Sequence, residues 1–189
     1  MLTVKTLALW LWFAMTTWVP PAHQTGAWRE PEADAAGRYL DFAEDVARVA
    51  LDPDEAPVPG LADDDETSRA RTALLLAAIA SYESAYAAAV ITCSKLGPGR
   101  AKGPFQCEGR CPEVCTDVTH AARVALAMVR QSFEVCSGRD FLDRLAFYTD
   151  GVCRPSWARS RVRIGRAERW WRAHPLAWSE EIRDQWGDF

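Results

Sequence analysis

The sequence predicts an all-α protein with a disulfide-stapled loop. Three observations carry that reading. Apolar residues recur at helical spacing in several separate segments. No run alternates apolar and polar residues for long enough to make a strand. Six cysteines lie between Cys93 and Cys153, with none elsewhere. Such clustering favours disulfides formed in an oxidising compartment. Six cysteines allow about fifteen pairings, and the sequence does not choose among them.

The 189 residues are 49% hydrophobic, enough for one compact domain with a sizeable core. The net charge of −4 conceals an asymmetry. Residues 1–69 carry 13 acids and 5 bases, whereas residues 70–189 carry 13 acids and 17 bases. The mildly basic second part suits an anionic polymer, though a solvated face is the simpler account.

At the N-terminus Lys5 is the sole early charge. It precedes the apolar run Thr6 to Val19, and then Pro20-Pro21-Ala22-His23-Gln24. A run of about 14 residues suits the core of a signal peptide better than a membrane span, which needs about 20. Trp10, Trp12, Phe13 and Trp18 make it bulky, so an uncleaved anchor is the alternative. Residues 1–26 are therefore read as signal peptide or membrane anchor, with a cut near residues 22–27. The protein is expected to be exported, to a periplasmic or extracellular site.

Residues 27–66 read as a helical N-terminal extension and an acidic loop. A loose linker covers 23–37. An amphipathic helix follows over 38–51, with Leu40, Phe42, Ala43, Val46, Ala47 and Ala50 in one stripe. Three prolines, Gly60 and Asp63-Asp64-Asp65-Glu66 exclude regular structure over 52–66.

The main domain is expected over 67–173. Its first helix is capped by Thr67 or Ser68, favoured by the acids before it, and runs to about Ala89. Thr72, Leu75, Leu76, Ile79, Glu83 and Tyr86 share one face. Glu83 thus extends an apolar stripe. Burial disfavours a charged carboxylate, and a carboxyl protonated near neutral pH can donate to a leaving oxygen. The plainer alternative is that Glu83 ends the helix and reaches solvent.

Residues 91–116 hold four glycines, three prolines and four cysteines, the composition of an irregular, stapled loop. Cys107, Cys111 and Cys115 are spaced by four, with only His120 close by. Zinc sites use two-residue gaps and histidine partners, so no metal is expected. A helix over 117–134 takes Asp117 as its N-cap and turns Val118, Ala121, Ala125, Leu126, Met128 and Val129 inward. A shorter helix covers 139–149 and ends at Gly151. The last helix covers 156–173, and residues 174–189 form a Trp-rich tail after His174-Pro175. Arg154, Arg159, Arg161, Arg163, Arg166, Arg169 and Arg172 lie beside Trp157, Trp170 and Trp171. Interleaved arginine and aromatic residues can bind single-stranded nucleic acid. A secreted, disulfide-bonded chain makes that a poor partner, and the expectation is a solvated face with its indoles packed inward.

The order of motifs carries the functional reading. A helix ends in Glu83-Ser84. Gly103-Pro104-Phe105-Gln106 follows, then a helix, then Phe147-Tyr148-Thr149-Asp150-Gly151. Over residues 67–172 this resembles the lysozyme-like superfamily, in its lytic transglycosylase and goose-type lysozyme branch. The resemblance implies a lysozyme-like helical domain that cleaves β-1,4 glycosidic bonds in the glycan strands of peptidoglycan, acting as a monomer without metal or cofactor. It makes Glu83 the catalytic acid. Ser84 would orient that carboxyl or the substrate, Gln106 would bind sugar, and Gly103 would let the backbone come close. Tyr148 would hold the transition state or stack on Glu83. Phe105 and Tyr86 read as ordinary core.

Thr149 stands where the family has Asn, Pro104-Phe105 replaces Leu-Met, and the Cys-rich insert after Gln106 is unusual. Two-carboxylate glycosidases place a second acid about 5–10 Å from the first. Glu108, Asp117 and Asp150 are candidates, and spacing favours none. Lytic transglycosylases work with one Glu, which protonates the leaving group and then takes a proton from the sugar's 6-hydroxyl to leave a 1,6-anhydro end. Attack by water, giving hydrolysis, is the other outcome. A non-catalytic glycan-binding or envelope structural module is the alternative from another class. A phage-type endolysin held at a membrane by residues 6–19 is a third.

Overall fold

The computed structural model describes residues 2–95, 102–106, 112–154 and 159–176. Among these residues the regular elements are helical and no strand occurs. The elements are α1 (Val4–Trp18), α2 (Pro21–Trp28), α3 (Glu32–Leu51), α4 (Asp65–Glu83), α5 (Ala88–Ile91), α6 (Val118–Val135), α7 (Ala146–Asp150) and α8 (Ser160–Ala173). Two disulfides, Cys93–Cys115 and Cys136–Cys153, join described residues. Cys107 and Cys111 lie outside them, as do Glu108, Trp157 and residues 177–189.

Helix α4 is the centre of the core, packed by α1, α3, α6 and α8. Ala73, Leu74, Leu75, Leu76, Ala77, Ala78, Ile79 and Ala80 are all buried. A helix surrounded by others is apolar all round, which is why its composition reads as a run more than a stripe. The Asp64 carboxylate caps it, accepting a hydrogen bond from the Thr67 N–H at 2.8 Å. The cap therefore lies three or four residues before the expected Thr67 or Ser68, and the acidic run opens the helix instead of ending the loop. Asp117 caps α6 as expected, accepting from the His120 N–H at 3.0 Å. Residues 139–149 divide into a 3-10 turn (Phe141–Asp143) and α7, which ends on Gly151 at φ 70°.

The expected linker over 23–37 is helical except at residues 29–31. Pro21 opens α2, where its fixed φ and missing N–H cost nothing. The buried Gln24 ties this helix down, donating to the Tyr39 hydroxyl at 2.7 Å and to the Ala85 carbonyl at 2.8 Å. Helix α3 begins six residues before the expected 38, and Tyr39 takes the fully buried position next to the half-buried Leu40.

The segment read as a leader or anchor forms α1 and the start of α2. Leu7, Trp10, Leu11, Ala14 and Met15 are completely buried, against α3 and α4. The Trp10 indole meets Trp171 edge-on at 5.7 Å, and its Nε1 donates to the His174 carbonyl at 3.1 Å. Trp18 meets Trp170 at 5.9 Å. Short apolar runs suit both a leader core and a buried helix, and here the bulky indoles find partners in α8. Among the described residues no helix is long and apolar enough to cross a membrane.

Candidate active site

Helix α4 stops at Glu83 because the next residues turn sharply. Ala85 and Tyr86 take left-handed φ values of 49° and 54°. The Ser84 hydroxyl steadies the turn, donating to the Ala80 carbonyl at 2.9 Å and accepting from the Tyr86 N–H at 3.1 Å. Tyr86 then buries its ring and donates to the Ala77 carbonyl at 2.8 Å. The expected helix to Ala89 is thus broken after Glu83. Ser84 is buried and occupied by backbone groups, so its hydroxyl shapes the turn and does not line the cleft.

Glu83 lines a cleft of about 770 Å³. Gln106 and Tyr148 line it too, so three separate motifs meet in one place. Phe105, Met128 and Phe147 supply its apolar wall, while Asp150, Arg159 and Arg163 add charge. Met128, expected to point inward, is 38% exposed on this wall.

The Glu83 carboxyl is not the lone acid that an apolar stripe implies. Arg163 from α8 donates to its Oε1 twice, from Nη2 at 2.5 Å and from Nε at 3.1 Å. Among the described residues Oε2 accepts no hydrogen bond. The carboxyl side of a helix carries partial negative charge, so an acid there is unfavourable unless a cation answers it. Arg163 supplies that cation. Its side chain is only 9% exposed, and its Nη1 donates to the Arg159 carbonyl at 2.8 Å.

The α8 arginines are therefore not simply a solvated face. Arg161 forms a fork onto the buried Asp143 at 2.9 and 2.6 Å. Arg166 donates to the Ser81 hydroxyl at 2.6 Å and lies 4.0 Å from the Tyr82 ring centre. The missed residue, Arg163, had a legible signal. Ser160, Arg163, Ile164, Ala167 and Trp170 follow helical spacing and are the buried face of α8. The pattern that singled out Glu83 on α4 also singles out Arg163.

The Gly103–Gln106 turn is shaped by a neighbour. Gly103 has φ 70°, and a Cβ there would lie 2.8 Å from the Val114 carbonyl oxygen. Its N–H donates to Cys93 Sγ at 3.2 Å. Within the protein, the close approach that requires glycine is to Val114. Gly103→Ala is expected to cost about 1–3 kcal/mol through positive-φ strain and the clash, read as a lower denaturant midpoint with the disulfides intact. Gln106, at φ 52°, folds its side-chain amide back to donate to the Gly103 carbonyl at 3.1 Å.

Tyr148 is held at both ends. Its N–H donates to the Ser132 hydroxyl at 3.0 Å, and its hydroxyl donates to the Phe105 carbonyl at 2.8 Å. Burial first, and then the charge of Glu83, push its phenol well above the ordinary range. It is a neutral donor at physiological pH. Burial likewise raises Tyr86 and Tyr39. The folded state therefore keeps these three protons longer than the unfolded chain does. That contribution to stability is complete below about pH 10, the ordinary phenol value, and is lost as pH climbs beyond it. In an alkaline titration, tyrosinate absorbance from these three side chains is expected to appear together with loss of helical circular dichroism.

The candidates for a second acid separate. Asp117 is committed to capping α6 and does not line the cleft. Asp150 does line it, accepting from the Thr149 hydroxyl at 3.0 Å, with Arg159 Nη1 at 3.7 Å. Glu108 lies outside the described residues. Thr149 also lines the cleft and donates to the carboxylate beside it.

No protein-family model, no curated protein and no solved structure matches the chain.

Proposed function

We propose that this protein cleaves the β-1,4 glycosidic bonds of peptidoglycan glycan strands, with Glu83 as general acid and base, in an oxidising compartment outside the cytoplasm. The observation that carries the reading is the cleft in which Glu83, Gln106 and Tyr148 converge from α4, the Gly103–Gln106 turn and α7. The order of these motifs resembles lytic transglycosylases and goose-type lysozymes. The cleft's volume and mixed lining suit sugar, which offers both hydroxyls and apolar ring faces. Two disulfides support the compartment.

In the proposed reaction Glu83 gives its proton to the glycosidic oxygen as the C1–O bond breaks. Tyr148 and Gln106, whose donors are held by the Phe105 and Gly103 carbonyls, line the cleft beside the sugar, where their oxygens can accept from its hydroxyls. Closure by the sugar's own 6-hydroxyl returns the proton to Glu83 and leaves a 1,6-anhydro end. Hydrolysis would call on Asp150 to activate water from within the same cleft.

Digestion of purified peptidoglycan with mass analysis of the fragments tests the reading. Anhydro ends mean a transglycosylase, and reducing ends mean a lysozyme. One observation favours a second reading, a non-catalytic glycan-binding or envelope module: Glu83 is engaged by Arg163. Binding to glycan strands without fragment release would select it.

A further inference from the structure

We infer that Arg163 is a positioning residue for Glu83, gripping Oε1 so that Oε2 is the oxygen that exchanges a proton with substrate. This rests on the glycan-cleaving reading above. An arginine fork facing a carboxylate usually engages both oxygens. Here Nε and Nη2 both fall on Oε1, and Oε2 carries no hydrogen bond among the described residues. The carboxyl is fixed in rotation and presents one oxygen.

The grip is itself held from behind. Arg163 Nη1 donates to the Arg159 carbonyl at 2.8 Å. Its guanidinium lies 5.3 Å from the Tyr82 ring centre, a favourable placement of a cation on a π face. The same ring carries Arg166 at 4.0 Å, and Arg166 is tied to Ser81. Trp18 of α1 lies 5.7 Å from Arg166. Arg163 is thus contacted from both α4 and α8 at the point where Glu83 emerges.

The proton balance follows from this arrangement. Once Glu83 has taken up a proton on Oε2, it passes that proton to the glycosidic oxygen as the C1–O bond breaks. The negative charge left on Glu83 is answered by Arg163 at Oε1. When the 6-hydroxyl oxygen closes on C1, its proton returns to Oε2. The guanidinium acts on charge that develops during the reaction, so its effect belongs to kcat more than to substrate binding.

The test measures peptidoglycan cleavage by wild type, R163Q and R163K, alongside denaturant unfolding of wild type, E83Q, R163Q and the double variant. Misplacement of a catalytic group by about 1 Å can cost 10²-fold. R163Q is expected to lose roughly that factor in kcat, with KM within about threefold. R163K keeps a cation at Oε1 and is expected to recover about tenfold of the loss. The unfolding cycle is expected to be non-additive, since the two side chains are in contact. Wild-type kcat in R163Q would overturn the inference. So would equal losses in R163Q and R163K accompanied by equal falls in the unfolding midpoint, because the arginine would then be structural only. If wild type releases no fragments while the cycle still shows coupling, the glycan-cleaving reading has failed, and the positioning role with it, although the ion pair stands.

Discussion

Glu83→Gln is expected to reduce peptidoglycan cleavage by roughly 10³-fold or more, within the range that a general acid contributes, while leaving the fold in place. The substitution is nearly isosteric. The amide oxygen can still accept from Arg163 Nη2 and Nε, which now share Oε1. What is lost is a carboxyl oxygen able to carry and exchange a proton. Near-ultraviolet circular dichroism should match wild type, because Tyr82, Tyr86 and Tyr148 keep their surroundings. Glu83→Ala is a different experiment. It leaves the 9%-exposed Arg163 side chain without its carboxylate, so it should lower stability as well as activity. Comparing the two separates chemistry from scaffold. A Gln variant that still releases fragments at the wild-type rate would remove Glu83 from the mechanism.

Trp10→Ala is expected to cost about 3–5 kcal/mol, the usual cost of truncating a fully buried large aromatic side chain. Trp10 has no exposed surface, touches Trp171, and hydrogen-bonds the His174 carbonyl. Equilibrium unfolding in denaturant, with both disulfides oxidised, measures the loss. Removing residues 2–20 should be more damaging, since it also strips Leu7, Leu11, Ala14 and Met15 from α3 and α4. If the shortened chain unfolds at the wild-type midpoint, α1 is dispensable to the fold, as a cleaved leader would be.

Much of the helical layout was legible because it depends on local rules. The stripes of α3 and α6, the Asp117 cap and the Gly151 stop each follow from spacing or from one residue's preference. The stop after Glu83 was not legible. Alanine and tyrosine at 85 and 86 carry no turn signature, and their left-handed geometry is set by Tyr86 reaching back into the core. The packing of α1 was not legible for a related reason. Whether an apolar run is core depends on distant partners, here indoles in α8. In the site, the motifs identified Glu83, Gln106 and Tyr148 as cleft neighbours. Ser84 and Gly103 proved to be held by Ala80, Tyr86 and Val114, contacts that no motif encodes. Arg163 joins Glu83 across 80 positions and was hidden among seven arginines. Only its place on the buried face of α8 distinguished it.

The clasp between α1 and α8 joins the two ends of the described chain, with 164 positions separating Trp10 from His174. A ribosome adding about 5–20 residues per second needs on the order of ten to thirty seconds to cover that distance. Throughout that interval α1 has α3 and then α4 to pack on, but Trp10 and Trp18 still lack their indole partners in α8. Chaperones and secretion factors recognise such a segment by its exposed apolar character. The fifteen residues of α1 therefore present an incompletely covered apolar surface while translation continues, and that surface is closed only once α8 arrives.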